Sequence, residues 1–236
     1  MVGANAPPDR HTAHAAVQYT LFTPAAMTTH PPAHTTIQGQ LTEHMRALAA
    51  CRRCAQMIGP VVLGQPAAHG ILQIGQAPGP YEGKLGRPFA WTAGKTLFRW
   101  YGSIGVEEAR FRERVYMAAV CRCFPGKNPK GGDRVPNREE IGHCRAWLSA
   151  EVALLRPQLV IPVGKLAIAQ VLESDRLDAV VGQTHRVEFH GLMTDVVPLP
   201  HPSGLSTWFK VEPGKTLLAA ALRQIAAHPA WRAAFG

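Results

Sequence analysis

Short apolar runs at 70–75, 115–121, 159–163 and 194–199 are separated by segments with helical spacing, and this alternation limits the fold more than any other feature of the chain. Each run is too short for a buried helix and apolar almost throughout, as a strand covered on both faces must be. Helical spacing marks 41–51, 92–100, 137–155, 165–172 and 213–227. The clearest start is Asn137, where an Asn cap and Glu140 three residues on form a capping box. Behind it, Ile141, Cys144, Leu148, Val152 and Leu155 make one apolar stripe. Strands alternating with helices predict an α/β fold of three layers, α/β/α, around a central, mostly parallel four-stranded sheet. Ligands in such folds sit beyond the carboxyl ends of the strands. The loops after Gly75, Val120, Val163 and Leu199 are therefore the places to look.

Residues 1–36 are rich in Ala, Pro, Thr and His, have no helical or strand period, and are expected to form a flexible tail ahead of a domain at 37–236. His11, His14, His30 and His34 fall in that tail at spacings that fit no fixed coordination geometry. No apolar run approaches the roughly 18 residues of a membrane span, and the N-terminus shows no signal segment. The expected setting is the cytoplasm, in association with the nucleoid, with no membrane partner. Lys and Arg number 25 against 16 Asp and Glu, a net +9, and nearly all of these charges lie within 37–236. A body this basic favours an anionic partner, nucleic acid first.

Cys51-x-x-Cys54 is a chelating pair, and Cys123 and Cys144 complete a set of four. Four thiolates suit zinc or an iron–sulfur cluster. Zinc ribbons usually supply a second close pair, whereas Cys123 and Cys144 are 21 residues apart, which favours a cluster. Arg52, Arg53, Arg122 and Arg145 adjoin these cysteines, where they would offset thiolate charge. The plainer alternative makes Cys123 and Cys144 ordinary buried cysteines. Cys121 is expected to be packing rather than a ligand.

The first strand runs into Gly75-Gln76-Ala77-Pro78-Gly79, followed by Glu82 and by Gly86-Arg87-Pro88-Phe89. Glycines and prolines there fix a tight backbone that a ligand can approach closely. Phe89 is placed to stack on a flat heteroaromatic group, and the last strand delivers His201-Pro202-Ser203 and then Leu205. Together with Ala93-Gly94 and the ordered cysteines, these loops resemble the iron–sulfur uracil-DNA glycosylases, families 4 and 5 of that superfamily. Each motif is moderately specific, but the set is strongly so, and it runs from about Leu41 to the final helix.

The resemblance implies a monofunctional DNA-repair enzyme, acting as a monomer, that flips uracil out of DNA and hydrolyses its N-glycosidic bond. It implies a [4Fe-4S] cluster on Cys51, Cys54, Cys123 and Cys144. Phe89 would stack on the extruded base, and the backbone of Gly75, Gln76, Ala77, Pro78 and Gly79 would contact the base and the attacking water. His201 would donate to the carbonyl oxygen of the leaving base, next to Ser203, and Leu205 would fill the gap in the duplex. Ala119 stands where family 4 has an asparagine that reads uracil, which looks more like family 5 and its wider range of deaminated bases. Ala77 and Thr92 lack the carboxylates that some branches place there, so Gln76 and the nearby Glu82 are the candidates for handling water. The segment 126–134 is placed like an insertion that carries a covalently reacting histidine in a related branch, but it has no histidine. Its Lys127, Lys130 and Arg134 are expected on phosphates. The alternative is a non-catalytic, lesion-binding iron–sulfur protein of the same fold.

Overall fold

The structure is a computed structural model describing residues 36–174 and 176–236. The expected tail therefore lies outside the described residues up to residue 35, and with it His11, His14, His30 and His34. Thr36 begins the described fold by capping α1 (Ile37–Ala49), its hydroxyl accepting from the Gly39 N–H at 3.0 Å. Strands β1 (Ile71–Gly75), β2 (Tyr116–Ala119), β3 (Leu159–Pro162), β4 (His185–Phe189) and β5 (Leu192–Val196) form one sheet in the order β2-β1-β3-β5-β4. The β1, β2, β3 and β5 strands are parallel, as expected, and β4 is an added antiparallel edge.

The remaining helices follow in chain order. They are α2 (Glu82–Leu85), α3 (Thr92–Gly102), α4 (Glu108–Arg114), α5 (Arg138–Leu155), α6 (Lys165–Ile168), α7 (Leu177–Val180), α8 (Gly214–Ala227) and α9 (Pro229–Phe235). The capping box at Asn137 is present in full: Glu140 N–H donates to the Asn137 side chain and Asn137 N–H to the Glu140 carboxylate.

Two hydrogen bonds show how the layers stack. Tyr101 of α3 donates to Gln73 of β1 at 2.7 Å, whereas Tyr116 of β2 donates to Glu151 of α5 at 2.8 Å. Tyr116 is in register with Leu72, the neighbour of Gln73 that points to the opposite face. The α3 and α5 helices therefore cover opposite faces of the sheet, and β1 and β3 are buried along their whole length between them. The fold is the three-layer α/β/α arrangement expected.

From β1 the chain moves one way across the sheet to β2 and then the other way to β3, so the switch of direction falls between β1 and β3. A crevice forms at such a point because the loops leaving the two strands diverge.

Candidate active site

The strand ladders continue past the carboxyl ends of the strands and hold the loop starts rigidly. Val120 and Cys121 N–H donate to the Gly75 and Gln76 carbonyls, and Gly164 N–H donates to Leu199. Above these ends lies a cavity of about 460 Å³. Its lining includes Gly75, Gln76, Ala77, Pro78, Gly79, Glu82, Phe89, Ala119, Lys127, His201, Ser203 and Leu205. Every candidate catalytic and base-contacting residue read from the sequence is thus brought to one space, from chain positions more than a hundred residues apart in the case of Gln76 and His201.

Phe89 occupies a left-handed backbone conformation, φ 50°, that a side-chain-bearing residue adopts only under constraint. The constraint comes from three neighbours. A Cβ on Gly75 would lie 3.0 Å from the Phe89 ring, and one on Gly94 would lie 1.7 Å from its carbonyl oxygen, so both glycines clear its space. The buried Arg112 of α4 donates from Nη1 to Pro88 O at 2.8 Å and from Nη2 to Phe89 O at 3.1 Å. Its Nε is held by Glu108 at 2.8 Å, and its guanidinium lies over the Phe98 ring. Nothing in the sequence around Arg112 marks this clamp.

Glu82 braces the same loop. Its two carboxylate oxygens accept from Gly79 N–H at 2.6 Å and Ala90 N–H at 3.1 Å. Burial pushes its carboxyl above the usual range, although these N–H donors oppose the rise. It is not a solvated surface charge. A second carboxylate, Asp133, also lines the cavity and pairs with Lys127 at 2.7 Å.

His201 is mostly shielded, and burial lowers its pKa, with Asp133 opposing. Its Nδ1 accepts from Ser203 N–H at 3.3 Å, so the neutral ring carries its proton on Nε2. Gly164 makes room for this arrangement: a Cβ there would lie 3.0 Å from His201 Cδ2 and 3.4 Å from Gln76 Cδ. The Gln76 Oε1 accepts from Leu166 N–H at 3.2 Å, which fixes the amide and leaves its NH₂ group as a donor.

The segment 126–134 folds back on itself through an antiparallel bridge between Lys127 and Asp133. Lys127 reaches the cavity and Lys130 is exposed. Arg134, expected on phosphates, is otherwise engaged. Its two Nη groups donate to the Glu140 carboxylate at 2.8 and 2.7 Å and its Nε to Pro125 O at 2.7 Å. The geometry makes it the fastener between this loop and the start of α5.

Cys51, Cys54, Cys123 and Cys144 line a second cavity, of about 490 Å³. Burial raises the Cys123 thiol to about 11 and also raises Cys54, and in both cases the other three cysteines or a subset of them add repulsion. Sulfurs that repel across one shared space are a donor set suited to a polynuclear cluster. Among the described residues, however, no three His, Cys, Asp or Glu side chains are arranged to hold a metal ion. Cys121 is fully buried, as expected of a packing residue, and its neighbouring thiol lowers the Cys144 pKa below the usual cysteine value.

Arg122 does more than the expected role. Its charge favours the Cys144 thiolate, and its guanidinium also forms a buried ion pair with Glu151, donating from Nη1 at 2.9 Å as well as from Nη2.

The uracil DNA glycosylase superfamily profile matches residues 62–226. The chain is 30% identical over 175 residues to the type-4 uracil-DNA glycosylase of Archaeoglobus fulgidus, covering 70% of this chain and 82% of that protein. It is 28% identical over 141 residues to the type-4 uracil-DNA glycosylase of Pyrobaculum aerophilum, covering 58% of this chain and 67% of that one. A type-5 uracil-DNA glycosylase of Pyrobaculum aerophilum is 27% identical over 152 residues, 58% of this chain and 62% of that protein. The match spans the sheet and all the loops that line the first cavity, and the chain belongs to the uracil DNA glycosylase superfamily.

Proposed function

We propose that residues 37–236 form a monomeric, monofunctional DNA glycosylase that excises uracil, and other deaminated bases as well, by hydrolysing the N-glycosidic bond. The observation that carries this reading is the convergence of Phe89, Gln76 and His201 on one cavity at the switch point of the sheet. A flat base enters against the Phe89 ring, which Gly75 and the Arg112 clamp hold in place. As the bond breaks, its electron pair passes to the base, and the Nε2–H of His201 donates to the carbonyl oxygen on which negative charge grows. The Gln76 amide orients the incoming water, whose proton passes to a carboxylate. Of the two that line the cavity, Glu82 is the acceptor we assign, because burial raises its pKa and Asp133 is already paired with Lys127.

Ala119 presents only a methyl group and a backbone to the pocket, so selection rests on shape and on the backbone, which supports a wider choice of deaminated bases. Lys127 and Lys130 reach towards phosphates. Cys51, Cys54, Cys123 and Cys144 would hold a [4Fe-4S] cluster, whose thiolate bonds would tie the end of α1, the loop after β2 and α5 into one DNA-binding face. No helix among the described residues is long and apolar enough to cross a membrane. The proposed setting is the nucleoid, within the cytoplasm.

The test is excision from oligonucleotides carrying uracil, hypoxanthine or xanthine, followed by alkali, alongside iron and sulfide analysis of anaerobically purified protein. Alkali-labile sites with uracil and about four irons per chain are expected. Intact strands with every lesion would refute the enzyme and leave the lesion-binding alternative. Stoichiometric zinc without iron would refute the cluster.

The clamp gives a second expected result. Arg112→Met leaves the Pro88 and Phe89 carbonyls without donors and frees Phe89 from its strained backbone, so kcat/KM for uracil falls roughly 10- to 100-fold. Arg112→Lys does not restore it, because one ammonium cannot span Glu108, Pro88 and Phe89. Phe89→Ala should add little to the loss in the Arg112→Met background, as steady-state kinetics of the double variant will show.

A further inference from the structure

Tyr81 and Trp91 both line the mouth of the first cavity, yet no step of base excision uses them. Their ring centroids are 4.5 Å apart at an interplanar angle of 33°, so each covers one face of the other. Tyr81 remains 47% exposed and Trp91 46%. Their backbones are fixed at helix starts, with the Tyr81 carbonyl accepting from Leu85 N–H and the Trp91 carbonyl from Lys95 N–H. Two large rings held half in water, without burial to recompense them, form a platform with an open face.

The charge beside them selects an occupant. Lys84, Arg87 and Lys95 are exposed in the same stretch of chain, whereas its one acidic side chain, Glu82, is turned inward onto Gly79 and Ala90. Open aromatic faces flanked by cations match a nucleic acid strand, with bases on the rings and phosphates on the lysines and arginine.

We infer that Tyr81 and Trp91 form an accessory subsite that stacks an unpaired nucleobase next to the flipped one, and so serve excision from single-stranded DNA. The inference rests on the glycosylase reading. A flanking base still paired in a duplex is held in the helical stack and cannot turn onto the rings, so only an unpaired one can transfer a face to them. In a duplex that role passes to Leu205, which is 86% exposed at the same cavity and carries no aromatic surface. The two lips of the pocket thus serve two forms of substrate.

The test uses the full chain and oligonucleotides with one uracil, single-stranded or paired, in which the nucleotide on either side is replaced in turn by an abasic analogue. With single strands, Trp91→Ala raises KM roughly five- to hundred-fold, the range for loss of one base–aromatic stack. Trp91→Phe recovers most of that. The abasic analogue on one side raises wild-type KM by a similar factor, and the two changes combined do no more than either alone. With duplexes, Trp91→Ala costs less than about threefold, while Leu205→Ala costs more.

Multiplicative losses, equal losses on both strand forms, or no loss at all would each overturn the subsite. A change in sedimentation of Trp91→Ala at micromolar concentration would overturn it too, by making the pair a self-association face. Should the wild type release no uracil from any substrate, the glycosylase reading fails. The subsite is then judged by affinity for an undamaged single strand, which Trp91→Ala must still weaken if it exists.

Discussion

His201→Ala lowers kcat for uracil release by about 10²- to 10³-fold, the cost of removing one donor aimed at charge that develops only in the transition state. Binding of uracil-containing DNA changes much less, because that charge is absent from the ground state. Equal losses in binding and turnover would show that His201 merely holds the pocket together. The pH dependence follows from the tautomer. Ser203 N–H donates to Nδ1, so the working donor is the Nε2–H of a neutral ring, and burial lowers the pKa below the ordinary histidine value. The imidazolium is therefore already lost at a pH where a solvent-exposed histidine still holds its proton. Raising the pH from 6 to 8 should leave kcat undiminished. A descending limb in that interval, absent in His201→Ala, would show the donor to be the cation. Ser203→Pro removes the N–H that selects the tautomer and should lose part of the same rate.

How much of this was readable beforehand depends on whether the determining contacts are local. The capping box at Asn137 is a four-residue device, and the structure reproduces it atom for atom. The β1 and β3 strands announce themselves because strands buried on both faces are apolar at every position. The β4 strand alternates between partly buried and exposed residues at the sheet edge, so its apolar content is too low to register. Its hairpin turn, His190-Gly191, has both residues at positive φ, 50° and 77°, but histidine is an unusual occupant of the first position. The site loops were legible as a set of motifs, whereas their supports were not. The Arg112 side chain meets carbonyls 23 and 24 residues earlier in the chain, and Tyr81 meets Trp91 across a loop, so no spacing rule reports either. Arg122 was legible only in part for the same reason. Its place beside a cysteine pointed to the thiolates, and its charge does favour Cys144, but its ion-pair partner Glu151 lies 29 residues on.

That pair sets the largest expected effect on stability. Arg122 is 3% exposed and Glu151 wholly buried, and both carboxylate oxygens face the guanidinium. Tyr116 adds a donor at 2.8 Å, and His44 of α1 lies 3.5 Å away. Burial alone would raise the Glu151 pKa, but Arg122, His44 and Tyr116 override it and hold the carboxylate charged. The Arg122 Nε also donates to Ala119 O at the end of β2, so one guanidinium links the sheet to α5 beside the cysteine-lined cavity. Removing it strands a charge in the core. Arg122→Met should cost about 3–5 kcal/mol, a fall of roughly 6–20 °C in Tm for a domain of this size. Glu151→Leu in the same chain should return most of the loss, because two apolar side chains of similar volume replace the pair without leaving a charge unpaired. Thermal unfolding of both variants by circular dichroism decides the matter. If the double variant is no more stable than Arg122→Met, the pair is needed for its hydrogen bonds to Ala119 and Tyr116 rather than for mutual neutralisation. The ion pair would then belong to the architecture that seats Cys123 and Cys144, and both variants should lose iron to the same extent.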